Sequence, residues 1–194
     1  MINHRKNYRR NLAPVHSRQS GLGIVEVLVA LIVVSFGVLG MASLQLTGMK
    51  HSSGGFNRSK ALLYAQSTAT RIRLNSIAAD DQNYAGFNSD SISCDVAPAP
   101  FCQARANNVP ADSCTTAQLA AFDLFSVSCG DLGSNGAEKG VVGTLPNGAL
   151  AVTCLATPCT PDSAYQVTVS WSEGRSRTNT DEMTTRRVQV RLRP

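Results

Sequence analysis

The 28 residues from Leu22 to Met49 contain no Lys, Arg, Asp or His, and Glu26 is the one charged side chain among them. About 20 apolar residues suffice to cross a bilayer as a helix, because each adds about 1.5 Å of rise. Val27 to Leu46 is 20 residues long, carries no charge and is apolar on every side, so the run predicts a membrane span rather than one face of a soluble helix. Gly37 and Gly40, with Ser35, Ala42 and Ser43, form a small-residue cluster that permits close helix packing or local bending.

Glu26 is out of place in such a run. A carboxylate at the centre of a spanning helix costs on the order of 2.5–3.5 kcal/mol on insertion scales, and intramembrane charges are usually paired. A cut after Gly21 would create a positive α-amine on Leu22, about one helical turn before Glu26. Near a helix N-terminus the carboxylate also gains roughly 0.3–1 kcal/mol from the macrodipole.

Upstream of the run, residues 1–21 are polar, lack any acid and carry Arg5, Lys6, Arg9, Arg10 and Arg18. They read as a targeting leader, which the positive-inside rule keeps cytoplasmic. The whole chain has 18 Lys+Arg against 13 Asp+Glu, so these five residues account for its entire net charge of +5. The chain after Gly21 is formally neutral, which speaks against a nucleic-acid partner.

Six cysteines, Cys94, Cys102, Cys114, Cys129, Cys154 and Cys159, all lie on the side the orientation rule sends out of the cytoplasm, where disulfides are the default. There is no Cys-x-x-Cys pair and no histidine after His51, so a zinc site lacks its usual ligand spacing. Of fifteen possible pairings, proximity favours Cys154 with Cys159 and Cys94 with Cys102, leaving Cys114 with Cys129.

The remaining chain has room for one domain. Phe56 to Ala79 places Leu62, Leu63, Ala65, Ala69, Ile72 and Ile77 among Arg58, Lys60, Gln66, Arg71 and Arg73, an amphipathic helix continuing the span, with Gly54-Gly55 as its weak point. Asp80 to Ser113 reads as an ordered loop held by Cys94 and Cys102, and Thr115 to Val127 as a short helix. Three segments alternate with period two: Leu150, Val152 and Cys154; Tyr165, Val167, Val169 and Trp171; Val188, Val190 and Leu192. Their connections are too short for crossover helices, so the strands should be antiparallel neighbours, begun by the turn Leu145-Pro-Asn-Gly148. The expected class is α+β: a long N-terminal helix, transmembrane in its first half, packed on a C-terminal antiparallel sheet. The expected segments are a leader over 1–21, a span over 22–49, a helical continuation over 50–79 and an extracytoplasmic disulfide-bonded head over 80–194.

Catalytic chemistry is poorly supplied. Histidine-based triads are excluded from the head, no glycine loop cradles a phosphate, and Asp90, Asp95, Asp112, Asp123 and Asp131 are scattered at no spacing that suggests a carboxylate pair. These acids, and Arg71 and Arg73, read as solvated. No enzyme activity, metal or cofactor is expected.

The stretch Gly21-Leu22-Gly23-Ile24-Val25-Glu26, followed by the apolar run, resembles the class III signal of type IV prepilins, and its wording resembles the PilV family of minor pilins. Leu22 in place of Phe, and Gly23 where Thr is common, are departures the motif tolerates. Leu145-Pro-Asn-Gly148 and Tyr165 to Trp171 carry a fainter likeness in the head. The resemblance implies that prepilin peptidase cuts between Gly21 and Leu22 and methylates the new amine of Leu22. It also implies that Glu26 pairs with a neighbouring subunit's N-terminal amine during assembly. The implied partners are other minor pilins, the major pilin and a tip adhesin, with the subunit held in the inner membrane beforehand and displayed on the cell-surface pilus afterwards. The implied role is to initiate or cap a pilus that serves adhesion and twitching motility. A minor pseudopilin of a type II secretion system shares the leader and helix, and a pilus-tip binding module is a third reading.

Overall fold

The computed structural model describes residues 23–105, 109–131, 138–174 and 183–194. The chain divides between Gly48 and Met49 into two compact units. Helix α1, Ile24–Leu74, contributes to both.

Within the first unit, α1 is exposed throughout its apolar run, and it is long and apolar enough to cross a membrane. The second unit is an α+β domain. Its helices are the remainder of α1, α2 (Ser76–Asp80), α3 (Thr116–Cys129) and α4 (Val141–Thr144). Its strands are β1 (Phe87–Asn88), β2 (Gly130–Asp131), β3 (Glu138–Lys139), β4 (Ala149–Cys154), β5 (Tyr165–Gly174) and β6 (Met183–Leu192). Four of these form an antiparallel sheet in the order β1-β4-β5-β6, and β2 pairs with β3 separately.

The period-two segments are β4, β5 and β6, in register so that apolar residues oppose one another: Leu150 with Val169, Val152 with Val167, and Val167 with Val190. Shifting any strand by one residue would turn its apolar set outward, so burial of one face fixes this register. The buried face, with Leu150, Val152, Tyr165, Val167, Val169, Trp171 and Leu192, packs in one core with Ala61, Ala65, Ala69 and Ile72 of α1. The turn before β4 forms as its residues dictate: the Gly148 amide donates to the Leu145 carbonyl at 3.0 Å, with Asn147 at φ 47°.

The buried face of α1 includes Ala65, Ala69 and Ile72 of the expected apolar set but not its leucines. Ala61, Ala65, Thr68, Ala69 and Ile72 are buried, whereas Leu62 and Leu63 are exposed, Leu63 at 65%, as is Ile77 on α2. Small side chains let the helix backbone lie close to the sheet, a geometry that a facing leucine would prevent. α1 passes through Gly54 and Gly55 and ends at Leu74. There the side-chain amide of Asn75 leaves the helix to donate to the Thr116 carbonyl at 2.8 Å and to Tyr84 Oη at 3.3 Å.

Helix α3 starts at a capping box: Thr115 Oγ1 accepts from the Gln118 amide, and Gln118 Oε1 accepts from the Thr115 amide. Just past its last residue, Gly130 sits at φ 94°, in the left-handed region that glycine occupies without steric cost. A Cβ on Gly140 would fall 2.5 Å from the Ser128 carbonyl oxygen, so the start of α4 can approach the end of α3 only as glycine.

Two of the three disulfides differ from the pairing that proximity favours. Cys154 joins Cys159, but Cys94 joins Cys129 and Cys102 joins Cys114. The loop after α2 is thereby closed on itself by Cys102–Cys114 and tied to the end of α3 by Cys94–Cys129. Folding back against α3 brings Cys94 beside a residue 35 positions away, a proximity that the intervening gaps do not report.

Candidate assembly site

Gly21 and Leu22, the expected cleavage and methylation positions, lie outside the described residues, as do the basic residues of the leader. The structure begins at Gly23, whose carbonyl accepts from the amides of Glu26 at 2.9 Å and Val27 at 3.3 Å, opening α1. Glu26 therefore stands in the first turn, where unpaired backbone N–H groups favour a negative charge. Its side chain is exposed, and among the described residues no cation lies within ion-pair distance of it.

Two hydroxyls of the apolar run are satisfied locally. Ser35 Oγ donates to the Leu31 carbonyl at 2.7 Å, and Thr47 Oγ1 donates to the Ser43 carbonyl at 3.0 Å. Such bonds let hydroxyls enter hydrocarbon without an orphaned donor. A Cβ placed on Gly23, Gly37, Gly40 or Gly48 would meet nothing within 4 Å. Among the described residues no contact demands glycine there, so small size at these positions is free to serve a neighbour or lipid. This half of α1 is a ready-made packing surface with one carboxylate at its tip.

In the head, polar groups are used to fix elements together. Arg71 Nη1 donates to Asp123 Oδ1 at 2.6 Å, Tyr84 Oη donates to Asp123 Oδ2 at 3.0 Å, and the Asn75 amide reaches Tyr84. Asp123 is only 7% exposed; it is not a solvated loop acid, and Arg71 is its partner rather than part of a free charged face. Burial raises the Tyr84 phenol above its ordinary value, and the Asp123 charge raises it further. Tyr165 is likewise raised, by burial first and then by Asp80, while its hydroxyl donates to the Ala79 carbonyl at 2.5 Å. Trp171 is buried at the rim of the sheet, with its indole N–H donating to Glu173.

The Arg71–Asp123–Tyr84 group is the feature the sequence reading missed. Its members are 52 and 39 positions apart in their contacts, so no local spacing announces them. The one available signal was an acid among Leu119, Phe122, Leu124 and Phe125, on a helix with an apolar side. Each member is engaged in holding elements together, and of the three Arg71 also lines a cavity of about 440 Å³, beside Lys60, Tyr64 and Lys139. Among the described residues no group of three or more His, Cys, Asp or Glu could share a metal ion.

Residues 43–125 match the protein family described as Tt1218-like, type IV pilin Tt1218. No curated protein and no solved structure matches the chain. The matched segment runs from the end of the apolar run into α3, so it takes in the head half of α1 and the loop closed by Cys102–Cys114, and stops short of Cys129. The match supports a type IV pilin, a structural subunit, and the long helix on a four-stranded antiparallel sheet with three disulfides is a pilin-like α+β fold.

Proposed function

We propose that the protein is a minor pilin, of the kind the PilV resemblance implies, that co-assembles with other minor pilins and the major pilin to initiate or cap a type IV pilus. The observation that carries this reading is Glu26: a lone exposed carboxylate in the first turn of a helix whose apolar run is exposed throughout. Such a surface is costly to leave uncovered in water and costly to hold in lipid without a countercharge. The amine of a neighbouring subunit, released by prepilin peptidase between Gly21 and Leu22 and methylated on Leu22, meets that need. Docking then transfers an inner-membrane subunit, head outward, into the growing fibre, where the tip serves adhesion and motility.

The test compares two variants in pilus-producing cells. Glu26→Ala should be processed and membrane-inserted like the parent, yet be recovered at least ten-fold less in sheared pili, since an unpaired intramembrane charge is worth more than about 1.4 kcal/mol. Parental recovery would remove Glu26 from assembly. Gly21→Trp should accumulate as the longer precursor, and a fully processed band on a gel would remove the cleavage assignment.

A further inference from the structure

Apart from the apolar run, the strongest concentration of one chemistry is a basic cavity at the start of the head. About 550 Å³ in volume, it is lined by Lys50, His51 and Arg58 of α1 and by Arg186 and Arg187 of β6, around Trp171 and Glu173 of β5. Lys50, His51, Gly54, Gly55 and Arg58 share one face of the helix; Gly54 lies against the Glu173 carboxylate, and Gly55 leaves open space between the cations. Glu173 is the acid of the lining, and it is already engaged, accepting from the Trp171 indole at 2.8 Å and from Arg186 at 3.4 Å. Lys50, Arg58 and Arg187 are exposed and have no ion-pair partner among the described residues. The connection between β5 and β6, residues 175–182, adds two Arg, one Asp and one Glu, no net charge.

What the cavity would meet follows from the sequence. The apolar run ends at Met49 and Lys50 is the next residue, so a bilayer that holds the run has its surface at the first cation of the cavity. Lys and Arg beside a membrane surface attract anionic lipid, each favouring it by a factor of about five. We infer that this cavity binds the phosphate headgroup of an anionic phospholipid in the leaflet facing the head, and that this contact seats the head on the membrane before assembly. Helix and strand each supply part of the cation set, so the bound phosphate would bridge α1 to β6.

The inference rests on the membrane-span reading of α1 and is tested with the full-length chain in bilayers of phosphatidylcholine containing spin-labelled lipid. The motionally restricted fraction of labelled phosphatidylglycerol is compared with that of labelled phosphatidylcholine of the same acyl chains. The expected preference for phosphatidylglycerol is about five-fold or more; it should fall towards one in a Lys50→Gln/Arg187→Gln variant and in high salt, and stay unchanged in Arg73→Gln, an exposed cation outside the cavity. Equal association in the parent, or an undiminished preference in the double variant, overturns the headgroup site. Trp171, the single tryptophan of the chain, reports on the cavity directly. An emission change that saturates with inorganic phosphate, without any lipid preference, would assign the cavity to a soluble anion and overturn the lipid. Flotation of the same vesicles separates the premises: a chain that fails to float removes the membrane span itself, while a floating chain without lipid preference removes only the headgroup site.

Discussion

Asp123 accepts from both Arg71 and Tyr84, so its removal orphans two donors at once. Leaving a buried donor unpaired costs about 1–3 kcal/mol, and Tyr84 is fully buried while Arg71 keeps partial access to water. Asp123→Ala should therefore lower head stability by about 2 kcal/mol in denaturant titration, with an unchanged slope; a loss below about 0.5 kcal/mol would mean the group does not hold α1 to α3. Tyr84 adds a pH dependence. Its folded-state pKa is raised above the ordinary value near 10, first by burial and then by Asp123. The protonated phenol thus stabilises the fold fully below about pH 10, and as pH rises further the unfolded chain releases a proton that the folded one retains. Stability should fall in that range by up to about 1.4 kcal/mol per pH unit on account of this residue. Tyr84→Phe, though less stable at neutral pH, should show a shallower decline above pH 10, and an identical slope would show that Tyr84 ionises normally in the fold.

Strands β4, β5 and β6 were legible in the sequence because a half-buried antiparallel strand must alternate, and helix α3 was expected over Thr115 to Val127, where the fold adds the Thr115–Gln118 capping box. The two-residue strands β1, β2 and β3 were not, since pieces this short have no period and exist only where the fold brings a partner alongside. The inner face of α1 was legible in part for a related reason: Ala65, Ala69 and Ile72 are buried as the periodicity expects, but close packing on a sheet selected Ala61 and left Leu62 and Leu63 exposed. Disulfide pairing is the clearest case, because Cys94 and Cys129 become neighbours only after the loop folds onto α3. That topology ranks the bridges. In the chain-entropy account, sequence separations of 35, 12 and 5 residues correspond to about 4, 3 and 2 kcal/mol for Cys94–Cys129, Cys102–Cys114 and Cys154–Cys159. Paired Cys→Ser replacements should lower the midpoint of thermal unfolding in that order, and peptide mapping without reduction should recover a Cys94–Cys129 cross-link. A Cys94–Cys102 peptide would overturn the topology of the loop.

The division at Gly48 and Met49 separates two kinds of stability within one chain. Before it, the apolar side chains of α1 are exposed among the described residues, and they need lipid or neighbouring subunits. After it, every member of the buried core from Ala61 to Leu192 and all six cysteines fall inside the second unit. Nothing that holds the head together comes from the run before Gly48, so the head should fold without it. A chain beginning at Met49, expressed into an oxidising compartment, should be soluble without detergent, carry no free thiol and unfold in one cooperative transition. Phe56, Leu62, Leu63, Leu74 and Ile77 remain exposed on its helices, and they set the form a departure would take: self-association that increases with concentration, while the unfolding transition stays cooperative. If the shortened chain instead lacks a cooperative transition at any concentration, the apolar run is part of the folding unit. Assembly would then have to carry a subunit whose head and span cannot be separated, instead of an independently folded head borne on a packing helix.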